Sequence, residues 1–164
     1  MVRVCLTVLA LAVALPSSAQ QLTLDIRDGL VTMTATNVPV RQALANEPIT
    51  VFGDGTQSRS FTYVGDVVRG LLSLMQEPKA IGQVFNIGNV EEVTIRELAE
   101  RVKAAAGSTS PVVTIPYEQA YDSGFEDMPR RVPDLTKIHG LLGYEPKVQL
   151  DEIIRRVIED FRAR

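Results

Sequence analysis

The sequence holds very few of the cysteine and histidine side chains that bind zinc or take part in nucleophilic catalysis. Its 164 residues include one cysteine, Cys5, one histidine, His139, and no tryptophan. A single cysteine excludes a disulfide within the chain, and one cysteine with one histidine provides too few ligands for a structural zinc site. No histidine lies near Ser58, Ser60 or Ser73 in the sequence to activate them. Any chemistry must therefore use carboxylates, amines, guanidinium groups or other hydroxyls.

An excess of charge of one sign is also missing. The formal net charge is -3, and the 17 basic and 20 acidic residues are mixed along the chain. No basic stripe is present that would follow a nucleic-acid backbone. The acidic residues between 118 and 127 alternate with glycine and aromatic residues, which is typical of a solvated loop and not of a metal site. We therefore expect no nucleic-acid partner and no bound metal.

The sequence has no apolar run long enough to span a bilayer, but its N-terminus has a distinctive pattern. A basic start is followed by an apolar run from Val4 to Leu15 and then by small residues ending at Ala19. This layout is typical of a secretory signal peptide over residues 1–19. A transmembrane anchor or a buried N-terminal segment is the alternative, and we expect no stable membrane span. Cleavage after Ala19 would also remove Cys5.

A complete phosphate-binding glycine turn is absent. Gly53 and Gly55 follow a β-branched run, yet Ser58 stands where a dinucleotide fingerprint has its third glycine. The alternating residues 49–52 and 60–63 instead predict a β-hairpin around the glycines. A phosphate near this turn would therefore need a side chain to bind it, and Arg59 is the candidate.

The N-terminal part of the mature chain predicts a short β-α segment over residues 20–46. Alternating runs at 22–26 and 30–35 flank Arg27-Asp28-Gly29, which predicts a β-hairpin, and a short helix follows over 40–45. Pro48 ends this helical pattern, and the hydrophobic period changes to two directly afterwards. We therefore predict a domain boundary between residues 46 and 47.

Residues 47–164 predict alternating helices and strands, which is an α/β class. A helix capped by Asp66 ends before Pro78, and a strand follows over 83–88. Thr94 and Glu97 form a capping-box pattern that opens a helix ending at Gly107. A strand over 112–116, an irregular stretch over 117–131, a helix over 134–142 and an amphipathic last helix complete the chain. These strands are too few for a complete doubly wound sheet.

Three stretches of the chain resemble a known family in order and spacing. They are "PITVFGDGTQSRSFTYVGDVVRGLLSLM", "GQVFNIGNVEEVTIRELAERV" and "RRVPDLTKIHGLLGYEPKVQLDEIIRRVIEDFR". Together they resemble the C-terminal part of the NAD-dependent epimerase/dehydratase family of extended short-chain dehydrogenases, which includes nucleotide-sugar epimerases and UDP-glucuronate decarboxylases. The resemblance implies an incomplete Rossmann-type fold: a C-terminal substrate-binding lobe over residues 47–164, with the last strand of the sheet and an N-terminal β-hairpin segment.

The resemblance also implies a ligand and four binding residues. A UDP-sugar or related nucleotide-sugar would place its base near Phe52 and Gly53 and its diphosphate on Arg59. Arg131 would close on the diphosphate from the other side, with Arg130 as the alternative. Two guanidinium groups on separate elements can each form charge-assisted hydrogen bonds to a diphosphate.

Two signatures of the same family are not found in the 164 residues. There is no G-x-x-G-x-x-G turn for NAD, and no tyrosine has a lysine four positions later. Without a base for the sugar hydroxyl and a nicotinamide to accept hydride, the usual oxidation cannot begin. We therefore expect no catalytic residue and no cofactor bound by this chain alone, unless a partner chain supplies the NAD half.

Residues 20–46 resemble the beginning of the short N-terminal domain of secretins and TonB-dependent receptors. The signal peptide and this segment imply export, whereas the epimerase-like part implies the cytoplasm. Three hypotheses follow: a nucleotide-sugar-binding lobe, an exported envelope interaction module, or a gene-fusion product without a selected function.

Overall fold

The computed structural model describes residues 25–27, 30–32, 34–120 and 127–164. The predicted signal peptide over residues 1–19 lies outside these ranges. In chain order the strands and helices are β1 Asp25–Arg27, β2 Leu30–Thr32, α1 Thr34–Leu44, β3 Ile49–Phe52, β4 Ser58–Ser60, α2 Val64–Gln76, β5 Glu92–Thr94, α3 Ile95–Ala106, β6 Val112–Ile115, α4 Tyr117–Ala120, β7 Arg130–Arg131, α5 Thr136–Leu142 and α6 Leu150–Ala163. The predicted α/β class is confirmed. None of the helices in the described ranges is both long enough and apolar enough to cross a bilayer.

The strands form three small sheets. β1 and β2 pair antiparallel, as the predicted N-terminal hairpin requires. β3 and β6 pair in parallel, with Ile49 opposite Val112 and Phe52 opposite Ile115. The third sheet has the order β5-β4-β7, in which β4 is antiparallel to β5 and parallel to β7.

The predicted hairpin around Gly53 and Gly55 is wrong. Both glycines have left-handed backbones, with φ of +72° and +79°, but β3 and β4 belong to different sheets. Ile49 and Val51 are fully buried, and β3 packs against α1 and α3. Burying these side chains between helices outweighs the local pairing that the alternating pattern suggests.

One hydrophobic core joins β3 to helices α1, α3 and α6. Its buried residues are Val40, Ala43, Ile49, Val51, Val93, Leu98, Ala99, Val102, Leu150, Ile154, Val157 and Ile158. Each fully buried Leu, Ile or Val contributes about 1.5–3 kcal/mol relative to an exposed position. The side chain of Gln42 in α1 also accepts a hydrogen bond from the Thr50 amide at 3.1 Å. The predicted boundary after residue 46 therefore falls between two elements that share one core.

A second cluster connects α2, α5 and the segment 83–88. Leu135, Ile138 and Tyr144 are buried in it, and Phe85 and Ile87 pack against them. Tyr144 donates its hydroxyl to the Gly88 carbonyl at 3.1 Å. Residues 83–88 were predicted as a strand, but they pair with no strand in the described part of the chain.

The predicted helix ends are confirmed in part. Thr94 caps α3 by accepting the Glu97 amide at 3.1 Å, and Gly107 ends the helix in the left-handed conformation. The Glu97 carboxylate binds Arg101 at 2.6 Å. Asp66, predicted as the cap of α2, instead lies in the first turn of that helix, and Tyr63 occupies the N-cap position.

Candidate functional site

Two of the predicted binding residues occupy aligned positions on neighbouring strands. Arg59 of β4 and Arg131 of β7 are Cα partners in a parallel pairing. Aligned residues of paired strands project to the same face of a sheet. Like charges directly opposite each other destabilise a sheet, so this pair of cations needs a compensating anion.

Arg59 is held by three acceptors within the protein. Its Nη1 donates to the carbonyls of Ser58 at 2.7 Å and Met128 at 2.8 Å, and its Nη2 forms an ion pair with Asp127. The side chain is 16% exposed. Arg59 is therefore positioned before any ligand arrives.

Gly53 and Tyr117 connect the end of β3 to this group. The Gly53 amide donates to the Ile115 carbonyl at 2.8 Å, and a Cβ at Gly53 would lie 2.5 Å from Cε2 of the Tyr117 ring. The Tyr117 hydroxyl donates to Asp127 at 3.0 Å. Contacts thus run from Gly53 through Tyr117 and Asp127 to Arg59, and Phe52 lies half-buried next to Gly53.

Arg131 has a different environment. It is exposed, and among the residues described no carboxylate forms an ion pair with it. Arg59 therefore has a counter-ion within the described part of the chain, whereas Arg131, on the same face of the sheet, has none there.

Arg130 is engaged on the opposite face. It is aligned with Ser58, and it makes a bidentate contact with Glu92 at 2.9–3.1 Å. Ser58 donates its hydroxyl to the same carboxylate. The hydrogen bonds from Arg130, and then from Ser58, lower the pKa of Glu92. Of the two adjacent arginines, Arg131 is therefore the one that lies on the same face of the sheet as Arg59.

Other polar residues have structural contacts. Asp134 accepts hydrogen bonds from the amide and hydroxyl of Thr136 at the start of α5, and these bonds lower the pKa of Asp134. His139 is exposed, and its Nδ1 lies 3.4 Å from the Tyr144 carbonyl oxygen and 3.7 Å from the Glu145 carboxylate. The described residues contain no group of three or more side chains that could hold a metal ion.

Sequence reasoning did not select Tyr117 or Asp127 as site residues. Asp127 is one of the acidic residues between 118 and 127, whose pattern predicts a solvated loop, and its pairing with Arg59 spans 68 positions of the sequence. No local pattern reports a contact of that range. A hollow of about 400 Å³ beside α5, lined by Val90, Pro133 and Tyr144 among others, includes none of the predicted site residues.

Comparison with known proteins identifies the family. The sequence matches the family described as GDP-mannose 4,6 dehydratase over residues 25–157. The chain belongs to this family. The resemblance to NAD-dependent epimerases and dehydratases is therefore confirmed. None of the comparisons supports the secretin-like resemblance of residues 20–46, and the family match begins inside that stretch.

Two curated relatives are nucleotide-sugar decarboxylases. UDP-N-acetyl-alpha-D-glucosaminuronate decarboxylase of Bacillus cytotoxicus is 37% identical over 123 residues, which cover 75% of this chain and 38% of the relative. UDP-glucuronic acid decarboxylase 1 of Danio rerio is 42% identical over 122 residues, which cover 74% of this chain and 27% of the relative. The chain thus spans well under half the length of each relative.

Two solved structures share the fold. UDP-glucuronic acid 4-epimerase of Bacillus cereus, in complex with UDP-glucuronic acid and NAD, is 27% identical with a TM-score of 0.69, over 81% of this chain and 42% of that chain. UDP-glucose 4-epimerase of Thermotoga maritima, with UDP-glucose, is 31% identical with a TM-score of 0.70, over 80% and 40%. The chain therefore has part of a Rossmann-type epimerase fold.

Proposed function

We propose that this chain is a nucleotide-sugar-binding lobe that binds a UDP-sugar through its diphosphate. The observation that carries the proposal is the alignment of Arg59 and Arg131 on one face of paired strands. A diphosphate provides an anion that can lie between two adjacent guanidinium groups, and both can form charge-assisted hydrogen bonds to its oxygens.

The end of β3 is proposed to hold the base. Phe52 ends this strand and Gly53 follows it, and the Tyr117 ring packs against Gly53 at a distance that leaves no room for a side chain. Uridine diphosphate sugars appear in the names of the similar decarboxylases and epimerases, which supports UDP as the nucleotide.

Catalysis by this chain alone is not part of the proposal. The described residues do not fit NAD, because Gly53 and Gly55 lead into strand β4 and not into a helix N-terminus that could bind a pyrophosphate. The 164 residues also contain no Tyr-x-x-x-Lys pair. We propose that the hydride-transfer half of the reaction resides on an NAD-binding partner chain.

Helix α2 offers the surface for that partner. Val68, Leu71, Leu72 and Met75 follow one another at helical spacing, and all four are about half exposed or more. Nearby, Val84 is 84% exposed, while Phe85 and Ile87 pack inward. Outward and inward side chains thus alternate over residues 83–88, as they do in a β-strand. We propose that a strand of the partner's sheet pairs with this segment.

The nucleotide proposal is tested by calorimetric titration of the full chain with UDP and with UDP-glucuronic acid. We expect saturable binding that Arg59→Ala and Arg131→Ala each weaken by about tenfold or more, since each removes charged hydrogen bonds. Arg130→Ala is the matched control, because it removes the adjacent arginine from the other face, and it should change the affinity by less than about twofold. Absence of binding by the folded chain would contradict the proposal.

The partner proposal is tested by coexpression with the part of the Bacillus cereus epimerase that this chain does not match. We expect copurification that Leu72→Lys and Val84→Lys abolish, because a lysine on an apolar contact surface must be desolvated. Ala105→Lys, at an exposed position of α3, is the control for an added charge. Equal copurification of all four proteins would exclude the α2 surface as the docking site.

A further inference from the structure

Asp127 places a carboxylate inside the proposed anion site. One of its oxygens forms the ion pair with Arg59 Nη2, and the other accepts the Tyr117 hydroxyl at 3.0 Å. Its side chain is 22% exposed. The carboxylate therefore occupies a position between a guanidinium and a hydroxyl, both of which also suit a phosphate oxygen.

A phosphate that binds Arg59 would lie next to the Asp127 carboxylate. The Nη1 of Arg59 is already used by the carbonyls of Ser58 and Met128, so the side facing Asp127 is where a further acceptor would bind. Two anions on one guanidinium repel each other at contact distance. The ligand must therefore displace Asp127 from Arg59 or bind less tightly beside it.

We propose that Asp127 is an internal competitor that sets the affinity of this site for diphosphates. This inference rests on the proposed function. Without ligand, Asp127 neutralises Arg59, and Arg131 is the cation that an incoming diphosphate meets first. Because the ligand replaces one anion by another on Arg59, the net free energy of binding is less favourable.

A positioning role for Asp127 predicts the opposite change in ligand affinity. If Asp127 mainly positions Arg59 for the ligand, its removal disorders the guanidinium and weakens binding. If it competes, its removal strengthens binding. The sign of the change in affinity therefore separates the two roles.

The experiment compares the full-length wild type with Asp127→Asn in calorimetric titrations with UDP and with inorganic pyrophosphate. We expect Asp127→Asn to tighten both by about three- to tenfold, because the amide retains the size of the carboxylate but not its charge. Tyr117→Phe, which removes the hydroxyl contact of Asp127, should tighten binding by a smaller factor. The tightening should disappear when Asp127→Asn is combined with Arg59→Ala.

Glu118→Gln is the control for a change in net charge, since Glu118 is exposed and lies next to Tyr117 in the sequence. It should alter both affinities by less than about twofold. Unchanged or weaker binding by folded Asp127→Asn would overturn the inference while leaving the proposed function intact. If Asp127→Asn binds pyrophosphate more tightly but no protein binds UDP, the result would support the inference and contradict the nucleotide proposal. If no folded variant binds either ligand, both the inference and the proposal would be overturned.

Discussion

Gly53 combines a left-handed backbone with a close aromatic neighbour. Its φ is +72°, and an added Cβ would meet the Tyr117 ring at 2.5 Å. Gly107 has a similar φ of +65° at the end of α3, but nothing lies within 4 Å of its Cβ position. The two glycines therefore share a backbone requirement and differ in the space around them.

Gly53→Ala should destabilise the protein more than Gly107→Ala does. The left-handed backbone costs each alanine about 1–2 kcal/mol, and the displaced Tyr117 ring adds about 1–3 kcal/mol at Gly53 alone. Urea unfolding followed by circular dichroism measures both free energies. Equal losses would show that Tyr117 moves aside without cost.

Asp66 is a buried carboxylate whose stabilising contribution depends on pH. Burial alone would raise the pKa of Asp66. Hydrogen bonds from Arg69 at 2.6 Å and from the amides of Lys147 and Val148 at 2.9 and 3.1 Å outweigh this effect, so the pKa lies below the ordinary 3.8. Because the folded-state pKa is the lower one, the contribution is complete well above pH 3.8. It is lost as the pH falls through the folded-state pKa.

Asp66→Asn should therefore cost about 1–3 kcal/mol of unfolding free energy at pH 7. The difference from the wild type should shrink as the pH is lowered below 3.8. Urea titrations at several pH values measure this difference. Glu100→Gln, at an exposed position of α3, is the control and should differ little from the wild type at low or neutral pH. If the difference for Asp66→Asn stayed constant with pH, it would count against the assigned hydrogen bonds.

At the scale of the elements, the start of α3 shows how a sequence pattern is realised in part. Thr94 caps the helix, while the Glu97 carboxylate binds Arg101 instead of returning to the cap. Thr94→Ala should lower the unfolding free energy by about 1 kcal/mol, and Thr94→Ser should retain most of it.

Glu97→Gln distinguishes a capping role from an ion pair. A glutamine can still cap the helix, but it cannot pair with Arg101. Any destabilisation by Glu97→Gln should therefore fade in high salt, when thermal unfolding is measured at low and high ionic strength. Equal stability of Glu97→Gln and the wild type at low ionic strength would instead favour the capping role, because glutamine retains it.

At the scale of the whole molecule, the exposed face of α2 should promote association between copies. Met75 is 81% exposed beside Leu71, Leu72 and Val68. Contiguous exposed apolar side chains of this kind are typical of contact surfaces. Without a partner chain, the protein should show a sedimentation coefficient that rises with concentration.

The variant Leu72→Lys should reduce that association without lowering the unfolding free energy, because Leu72 is more than half exposed. Ala105→Lys on α3 should leave association unchanged. Sedimentation velocity at several concentrations measures the effect. A wild type that stays monomeric at all concentrations would show that the exposed face of α2 does not cause self-association.

The sequence predicted much of the fold and part of the candidate site. Apolar periodicity, the Thr94 cap and Gly107 located α3, and the spacing of three motifs pointed to the family. Apart from the cap of α2, the failures concerned long-range strand pairing. The hairpin was wrong because β3 pairs with β6, and the strand over 83–88 has no neighbour among the described residues. Periodicity reports which face of a segment is apolar, and not which segment lies beside it.

The sequence by itself determined the residue types and the order of the elements. It supplied Arg59, Arg130 and Arg131, and it could not choose between the adjacent pair. The tertiary structure distinguishes the two arginines, because the β4-β7 register places Arg131 beside Arg59 and turns Arg130 towards Glu92. It also brought Asp127 to Arg59. Both outcomes depend on contacts between distant positions, which the packing of the whole chain establishes and no local pattern contains.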